Sequence, residues 1–328
     1  MACRQTALFS PCKKIHKPVT GGRKRDMIAG DRTKVWYRFY LTAKLILLTI
    51  KEFPSNRTQT HGKESGYVIV TTGLEPAEDT LRHALALADA FGVPVVRRGD
   101  FSLSQLRKRH GDDEVLVVSA QGARLEVPGK KPFFFHPNTA AFRIKRLMRG
   151  DTDTMLVACQ IQPGDEVLDA TLGLGADAIV FSHATGAEGK VVGIESERVL
   201  AIMVEDGLKH WASDSEQLER AMRRIEVRCE NHLEVLQGLP SRSFDVVYFD
   251  PMFEMTVHSS QGIAGVREFA NPQPLTEQAI SEALRVARRR VVMKEGKTGK
   301  IYERFGFVPF RSRGQQVVYS YKETGGGE

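Results

Sequence analysis

The sequence predicts an α/β protein built on a doubly wound, mostly parallel sheet. Short apolar runs rich in β-branched residues alternate with amphipathic segments from about residue 165 to residue 295. Short polar turns separate these segments, and such alternation is typical of βαβ units with right-handed crossovers. The chain has 328 residues, 41% of them hydrophobic, which is enough to bury the core that such a sheet requires.

Residues 1–65 differ in composition from the rest of the chain and are predicted to be a basic, poorly ordered extension or translation upstream of the true start. They hold 14 of the 47 Lys and Arg residues but only 4 of the 40 Asp and Glu residues, so the remainder has a small net negative charge. Arg38 and Lys44 interrupt the apolar stretch 35–50, and a membrane span needs about 20 apolar residues. We therefore expect a cytoplasmic protein without a membrane segment, with an organellar transit peptide as the alternative.

Residues 66–130 are predicted to form a small α/β domain. The run YVIVTT indicates a strand, and the segment PAEDTLRHALALADAF after it has the apolar spacing of a helix. Further strands are predicted at VPVV, EVLVVS and ARLEV, with a helix around SLSQLRKRHG. This part of the chain contains no motif that points to chemistry.

Residues 131–328 are predicted to begin with a basic helix and then to alternate five strands with helices. The strands are EVLDAT, KVVGIE, IEVRCE, FDVVYFD and RVVMKE. Two β-rich runs on either side of residues 312–314 predict a closing hairpin. The helices are predicted from Ala176, from Arg198 to Trp211, from His232, and from Thr276 to Arg288.

The most informative motif is the glycine loop DATLGLGADA after the first strand of this domain. Asp169, Gly173 and Gly175 give it the spacing D-x-x-x-G-x-G. In doubly wound folds ligands bind outside the carboxyl ends of the strands, where glycines let the backbone approach them. Glu195 ends the next strand, where its carboxylate can accept hydrogen bonds from both hydroxyls of a ribose.

Two cofactors are compatible with this loop. The spacing Gly173-x-Gly175-x-x-Ala178 also matches the dinucleotide pattern, which makes a nicotinamide-dependent oxidoreductase the alternative function. A carboxylate such as Asp169 would repel a pyrophosphate, whereas it favours the ammonium and sulfonium groups of S-adenosylmethionine. The residues therefore favour S-adenosylmethionine.

Polar residues also follow the third and fifth strands. Asn231 can read the amino edge of adenine or cap the helix that begins beside it, and the two roles are compatible. His232 is predicted to be a partly buried helix residue rather than a general base. Lys294 and Glu295 end the fifth strand, where a salt bridge at the rim is favoured over a contact to a base or phosphate.

The tetrapeptide Asp250-Pro251-Met252-Phe253 directly follows the fourth strand, on the same predicted rim. The lone pair of an exocyclic amine is delocalised into its ring, so acceptors on both N–H groups would direct it towards a methyl group. The Asp250 carboxylate and the Pro251 carbonyl can accept these bonds, and Phe253 can stack on the base. A structural Asp-Pro turn is the alternative.

The motifs DATLGLGADA, IESERV, FDVVYFDPMF and RVARRRVVMKE resemble those of class I S-adenosylmethionine-dependent methyltransferases, which have a Rossmann-like fold. They are most similar to the RsmJ type, which acts on the N2 amine of a guanine in small-subunit rRNA. The resemblance covers about residues 67–321 and implies RNA, as rRNA or a ribosomal particle, as the partner. With the motifs above, it gives Asp169, Thr171, Gly173, Gly175, Asp177, Glu195, Ser196, Asn231 and His232 as cofactor-binding residues and Asp250, Pro251 and Phe253 as catalytic residues.

The chain departs from that family in two places. Ala176 stands where the family usually has Arg, and residues 254–274, after the Asp-Pro motif, carry few positive charges where the family has a basic segment. The alternatives are therefore a methyltransferase of another nucleic acid or of a small molecule, and an RNA-binding protein that has lost catalysis.

Cysteine spacing and basic clusters add two weaker expectations. The cysteines show no C-x-x-C spacing, so no metal site is predicted, and Cys159 and Cys229 are expected in the core. Three basic clusters, within residues 143–149, 220–224 and 288–290, are interpreted as nucleic-acid contacts or as solvated helix faces.

Overall fold

Two sheets organise the chain over the residues that the computed structural model describes, which are 68–251, 274–296, 301–310 and 317–325. The predicted extension of residues 1–65 and the predicted catalytic Phe253 lie outside the described residues. None of the described helices combines the length and apolar character that crossing a bilayer requires. In chain order the strands are β1 (Val68–Thr72), β2 (Glu114–Ser119), β3 (Gly122–Glu126), β4 (Phe133–Phe134), β5 (Glu166–Asp169), β6 (Lys190–Ile194), β7 (Ile225–Arg228), β8 (Phe244–Phe249), β9 (Ala287–Gly296), β10 (Val308–Phe310) and β11 (Val317–Glu323).

The larger sheet has the strand order β10-β11-β9-β8-β5-β6-β7. Strands β5 to β9 run parallel, whereas β11 is antiparallel to both of its neighbours. The strand order reverses at β5, because β6 pairs with one side of it and β8 with the other. This confirms the predicted doubly wound sheet with its C-terminal hairpin, and the carboxyl ends of β5 and β8 meet where such folds bind ligands.

Helices cover both faces of this sheet, as the sequence of its central strands requires. In β8, the residues Val246 to Phe249 are all fully buried, and a continuous apolar run of this kind is typical of a parallel strand that is covered on both faces. Burying each such side chain stabilises the fold by about 1.5–3 kcal/mol. The helices are α1 (Glu78–Phe91), α2 (Leu103–His110), α3 (Thr139–Leu147), α4 (Thr154–Cys159), α5 (Ala176–Thr185), α6 (Arg198–His210), α7 (Glu216–Arg223), α8 (His232–Gly238), α9 (Glu277–Val286) and α10 (Ile301–Arg304).

One predicted helix end was wrong, and one helix was missed. Helix α9 ends at Val286, and the three arginines 288–290 belong to β9. Asp245 and Glu166 accept hydrogen bonds from Arg288 at 3.1 and 2.6 Å, so this cluster is neither a solvated helix face nor free for nucleic acid. Helix α7 was not predicted, although its buried residues, Leu218, Ala221 and Met222, have helical spacing.

The smaller sheet has the order β1-β2-β3-β4, with β1 parallel to β2 and the other pairs antiparallel. The strand predicted at VPVV is reduced to a single bridge between Val70 and Val95. Helix α1 packs on this sheet and also contacts α6 of the larger one. One hydrophobic cluster includes residues of both sheets, and the division into domains at residue 130 stays a prediction.

The two free cysteines within the described residues differ from each other. Cys159 is fully buried, as predicted. Cys229 is exposed, because it follows β7 at the edge strand of the sheet, so its assignment to the core was wrong.

Candidate active site

The glycine loop joins β5 to α5 through two residues with left-handed backbone conformation. Gly173 has φ of 51° and Gly175 has φ of 74°, and a residue with a side chain would be strained at both. The N–H of Gly175 donates to the carbonyl of Leu172 at 2.8 Å, which closes the turn. The loop therefore brings the N-terminus of α5 to the carboxyl edge of the sheet.

Asp169 ends β5 and is almost completely buried, with 1% of its surface exposed. Its Oδ1 accepts a hydrogen bond from the N–H of Thr171 at 3.2 Å. Burial, together with the nearby charge of Asp177, raises the pKa of Asp169 well above the ordinary aspartate value. A cationic group bound next to this carboxyl would favour its ionised form, so Asp169 suits an ammonium or sulfonium ligand.

We expect an Asp169→Asn variant to be more stable than the unchanged protein near neutral pH and to bind S-adenosylmethionine at least about tenfold more weakly. A raised pKa means that the folded protein retains a proton that the unfolded chain has lost, so stability falls as the pH rises from about 3.9 towards the folded pKa. Asparagine does not titrate, so the variant does not lose this stability as the pH rises. Thermal unfolding between pH 4 and 8 tests the prediction, and a variant that is less stable at neutral pH would contradict the raised pKa of Asp169.

Glu195 follows β6, and backbone groups hold its carboxylate beside the glycine loop. Oε2 accepts from the N–H of Gly173 at 3.1 Å, and Oε1 accepts from the N–H of Glu197 at 2.9 Å. Burial raises the pKa of Glu195, while these bonds and one from the N–H of Ser196 oppose the rise. Each carboxylate oxygen has a second lone pair, so the fixed group can also accept the hydroxyls of a ribose.

We expect Glu195→Ala to weaken binding of S-adenosylhomocysteine by about 10- to 150-fold, because a hydrogen bond to a charged group contributes about 1.5–3 kcal/mol. Calorimetric titration measures the affinity. The matched control is Glu197→Ala, since Glu197 contacts Glu195 through its backbone and should keep the normal affinity. Normal affinity in both variants would exclude the ribose role.

Asn231 and His232 lie after β7, at the start of α8. The side-chain oxygen of Asn231 accepts from the N–H of Leu233 at 2.9 Å, which confirms its capping role and leaves the adenine contact a prediction. His232 is half-buried, burial lowers its pKa, and its ring lies edge-on to Phe249 with the ring centres 6.1 Å apart. This placement agrees with a packed helix residue.

Asp177, in the first turn of α5, is the centre of a buried polar network. Its Oδ2 accepts from the ammonium of Lys294 and the hydroxyl of Tyr248, each at 2.8 Å, and its Oδ1 pairs with Arg143. Although burial alone would raise it, the pKa of Asp177 is lowered by Lys294 and Arg143. The side chain thus anchors the network, and its predicted contact to the cofactor stays a prediction.

Asp250 is held from two sides. Its N–H donates to the hydroxyl of Thr171 at 2.6 Å, which ties β8 to the glycine loop. Its Oδ2 accepts from Lys294 at 2.6 Å, which confirms the salt bridge predicted at the rim. The Asp250 side chain is 35% exposed, so its carboxylate remains accessible at the edge of the sheet, next to the half-buried Pro251.

Sequence reasoning missed Arg143 and Tyr248 as members of this network. Arg143 belongs to a basic cluster in the sequence, but Asp153 and Asp177 hold its guanidinium, and the side chain is only 16% exposed. Tyr248 had been counted as one apolar residue of a buried strand. The available signal was its hydroxyl, since a fully buried tyrosine usually has a hydrogen-bond partner.

Comparison with known proteins gives results that agree with this geometry. Residues 104–305 match the family described as "Putative SAM-dependent methyltransferase". The Bacillus subtilis protein YpiP, described as uncharacterized, is 42% identical over 78% of this chain and 99% of its own length. Ribosomal RNA small subunit methyltransferase J of Pseudomonas syringae pv. tomato is 32% identical over 66% of this chain and 78% of its own length. A SAM-dependent methyltransferase of Neisseria gonorrhoeae superposes with a TM-score of 0.55 at 19% identity, over 80% of this chain and 97% of that one, which shows a shared fold.

The donor set at the edge of the sheet fits S-adenosylmethionine. The carboxyls of Asp169 and Glu195 lie on either side of the glycine loop. Asp169 suits a cationic group, and Glu195 suits the two hydroxyls of a ribose. The matched family consists of methyltransferases, which sets the nicotinamide alternative aside. The chain therefore belongs to the S-adenosylmethionine-dependent methyltransferases of class I, as an RsmJ-like member with S-adenosylmethionine as its cofactor.

Proposed function

We propose that this methyltransferase methylates an exocyclic amine of an RNA base, namely the N2 amine of a guanine in small-subunit rRNA. The observation that carries the proposal is Asp250, fixed at the carboxyl end of β8 beside the glycine loop with part of its carboxylate exposed. The 32% identity to a protein named ribosomal RNA small subunit methyltransferase J supports the substrate class.

In this mechanism the chain's own residues orient the amine. S-adenosylmethionine supplies an electrophilic methyl group. Asp250 and the carbonyl of Pro251 accept the two N–H bonds of the amine, which localises its lone pair towards the methyl group. Burial raises the pKa of Asp250 and Lys294 opposes this rise, so the lysine favours the ionised carboxylate that can accept from the amine. Asp250 can then take the proton that the methylated amine loses, and Phe253 is proposed to stack on the base.

Helix α3 offers a surface for RNA next to this site. Arg143 of α3 reaches Asp177, so the helix lies beside the network that holds Asp250. Its outer face exposes Phe142, which is 65% accessible, and the basic residues Lys145 of the helix and Arg149 just after it are also exposed. An exposed aromatic ring can stack on a base and the cations can contact phosphates. The target base itself has to be unpaired or flipped out to reach Asp250.

The nucleoside composition of rRNA in a strain that lacks this protein tests the proposal. We expect one N2-methylguanosine of the small-subunit rRNA to disappear and to return when the unchanged gene, but not the Asp250→Ala variant, is supplied. An unchanged methylguanosine content would refute the rRNA assignment. Transfer of labelled methyl groups to ribosomal particles from that strain distinguishes an active enzyme from an RNA-binding protein without catalysis.

A further inference from the structure

Three side chains from two helices converge at a place that the methyl-transfer site does not use. They are His83 of α1 and Asp206 and His210 of α6. Val204 and Leu208 of α6 lie near Gly175 of the glycine loop, whereas Asp206 is about half a turn further round the helix, on the face towards α1. This His-Asp-His cluster is therefore separate from the proposed active site.

The ligand atoms of the cluster face one another. Nε2 of His83 is 2.6 Å from Oδ1 of Asp206, and Nδ1 of His210 is 3.0 Å from the same oxygen. All three ligand atoms lie within 4.8 Å of one another. The His83 and Asp206 side chains are 18% and 11% exposed, whereas His210 is 61% exposed. Two side chains are thus fixed by packing, and the third is on the open side.

The cluster borders a cavity of about 550 Å³ between the smaller sheet and α6. All three side chains line it, together with Phe134 and Trp211. A group bound by the cluster would therefore be reachable from the cavity, and a fourth position would be open to water or to a small molecule.

We propose that His83, Asp206 and His210 bind a divalent transition-metal ion such as Zn²⁺. Two imidazole nitrogens and one carboxylate oxygen suit zinc, whereas Mg²⁺ and Ca²⁺ prefer sites made of oxygen. Zinc is held at about 2.0–2.2 Å by such ligands, so two ligand atoms on one ion are about 3–3.5 Å apart. The observed separations of 2.6 and 3.0 Å would have to widen by up to about 0.9 and 0.5 Å to admit the ion.

An ion at this position would join the two sheets. His83 belongs to the helix that packs on the smaller sheet, and the other two ligands belong to a helix of the larger one. Because the ligands converge only in the folded chain, the ion would stabilise the native state. The sequence predicted no metal site, because the cysteines show neither C-x-x-C spacing nor a nearby histidine pattern, and a gap of 123 residues separates His83 from Asp206.

Titration of the full chain with Zn²⁺ and Co²⁺ tests the proposal. We expect saturating Zn²⁺ to raise the unfolding temperature by several degrees, a chelator to reverse the rise, and Co²⁺ to give the visible absorption of a site with nitrogen ligands. His83→Ala and His210→Ala should each abolish both signals. The matched control His110→Ala removes an exposed histidine of α2 and should leave both unchanged.

Two outcomes would overturn the assignment. One is the absence of a thermal shift and of Co²⁺ absorption in the unchanged chain at millimolar metal. The other is retention of both signals in His83→Ala and His210→Ala, which would assign the metal to other residues of the chain. Binding of S-adenosylhomocysteine by each variant verifies that it is folded, and because His210 is mostly exposed, its replacement tests the site with little effect on packing.

Discussion

Replacing Asp250 by alanine is expected to lower the rate of methyl transfer by about 10²- to 10³-fold while changing the affinity for S-adenosylmethionine by no more than a few fold. Asp250 contacts Lys294 and Thr171 at the rim, and its partly exposed carboxylate is assigned to the acceptor amine rather than to the cofactor. Removing a positioned acceptor of this kind affects the transition state more than the binding of either substrate.

Single-turnover methyl transfer at saturating RNA, with calorimetric titration of the cofactor, separates the two quantities. Asp245→Ala is a suitable control, because Asp245 lies on β8, the strand that Asp250 follows, and pairs with Arg288 instead of facing the rim. That variant should lose thermal stability and keep its activity per folded molecule. If Asp250→Ala behaves in the same way, the Asp-Pro turn is structural, and the main support for amine methylation is lost.

The sheet and its rim could be predicted because both depend on local pattern. Apolar runs fix the strands, and in a parallel sheet the residues that follow each strand meet at one edge, which is why Asp169, Glu195 and Asp250 were found together. The N-cap at Asn231 has an equally local signature. These predictions needed no knowledge of which strands are neighbours.

The partners of these residues depend on tertiary contacts and were not predictable. Arg143 reaches Asp177 across 34 positions, and Tyr248 reaches it across 71. A basic cluster in a sequence does not show which of its members are paired. Arg288 was assigned to the end of a helix for the same reason, since the pattern gave no sign that Glu166 and Asp245 lie beside it.

A Lys294→Met variant is expected to show a pH–rate profile whose acid limb lies at higher pH than in the unchanged enzyme. Lys294 donates to Asp177 at 2.8 Å and to Asp250 at 2.6 Å. Burial alone would lower the pKa of Lys294, but these two carboxylates raise it well above its ordinary value. Without the shared cation the pKa of each carboxylate rises. Asp250 is then protonated, and unable to accept from the amine, over a wider range of pH.

The direction in which the pH–rate profile shifts distinguishes a lysine that positions Asp250 from one that only stabilises the fold. Asp177, with its lowered pKa, contributes stability above the ordinary aspartate pKa, and this contribution is lost as the pH falls through the lowered folded value. Removing Lys294 should reduce this contribution to the free energy of unfolding by about 3 kcal/mol, because the pair is buried.

If Lys294 also positions Asp250, the rate per folded molecule falls more at pH 6 than at pH 8, and Lys294→Arg restores part of the rate. The exposed Lys190 is paired with Glu226 at 3.4 Å and provides the control Lys190→Met. This variant should change neither the free energy of unfolding nor the pH–rate profile. A destabilised Lys294→Met enzyme with an unshifted acid limb would show that the lysine supports the fold without tuning the carboxylate that orients the amine.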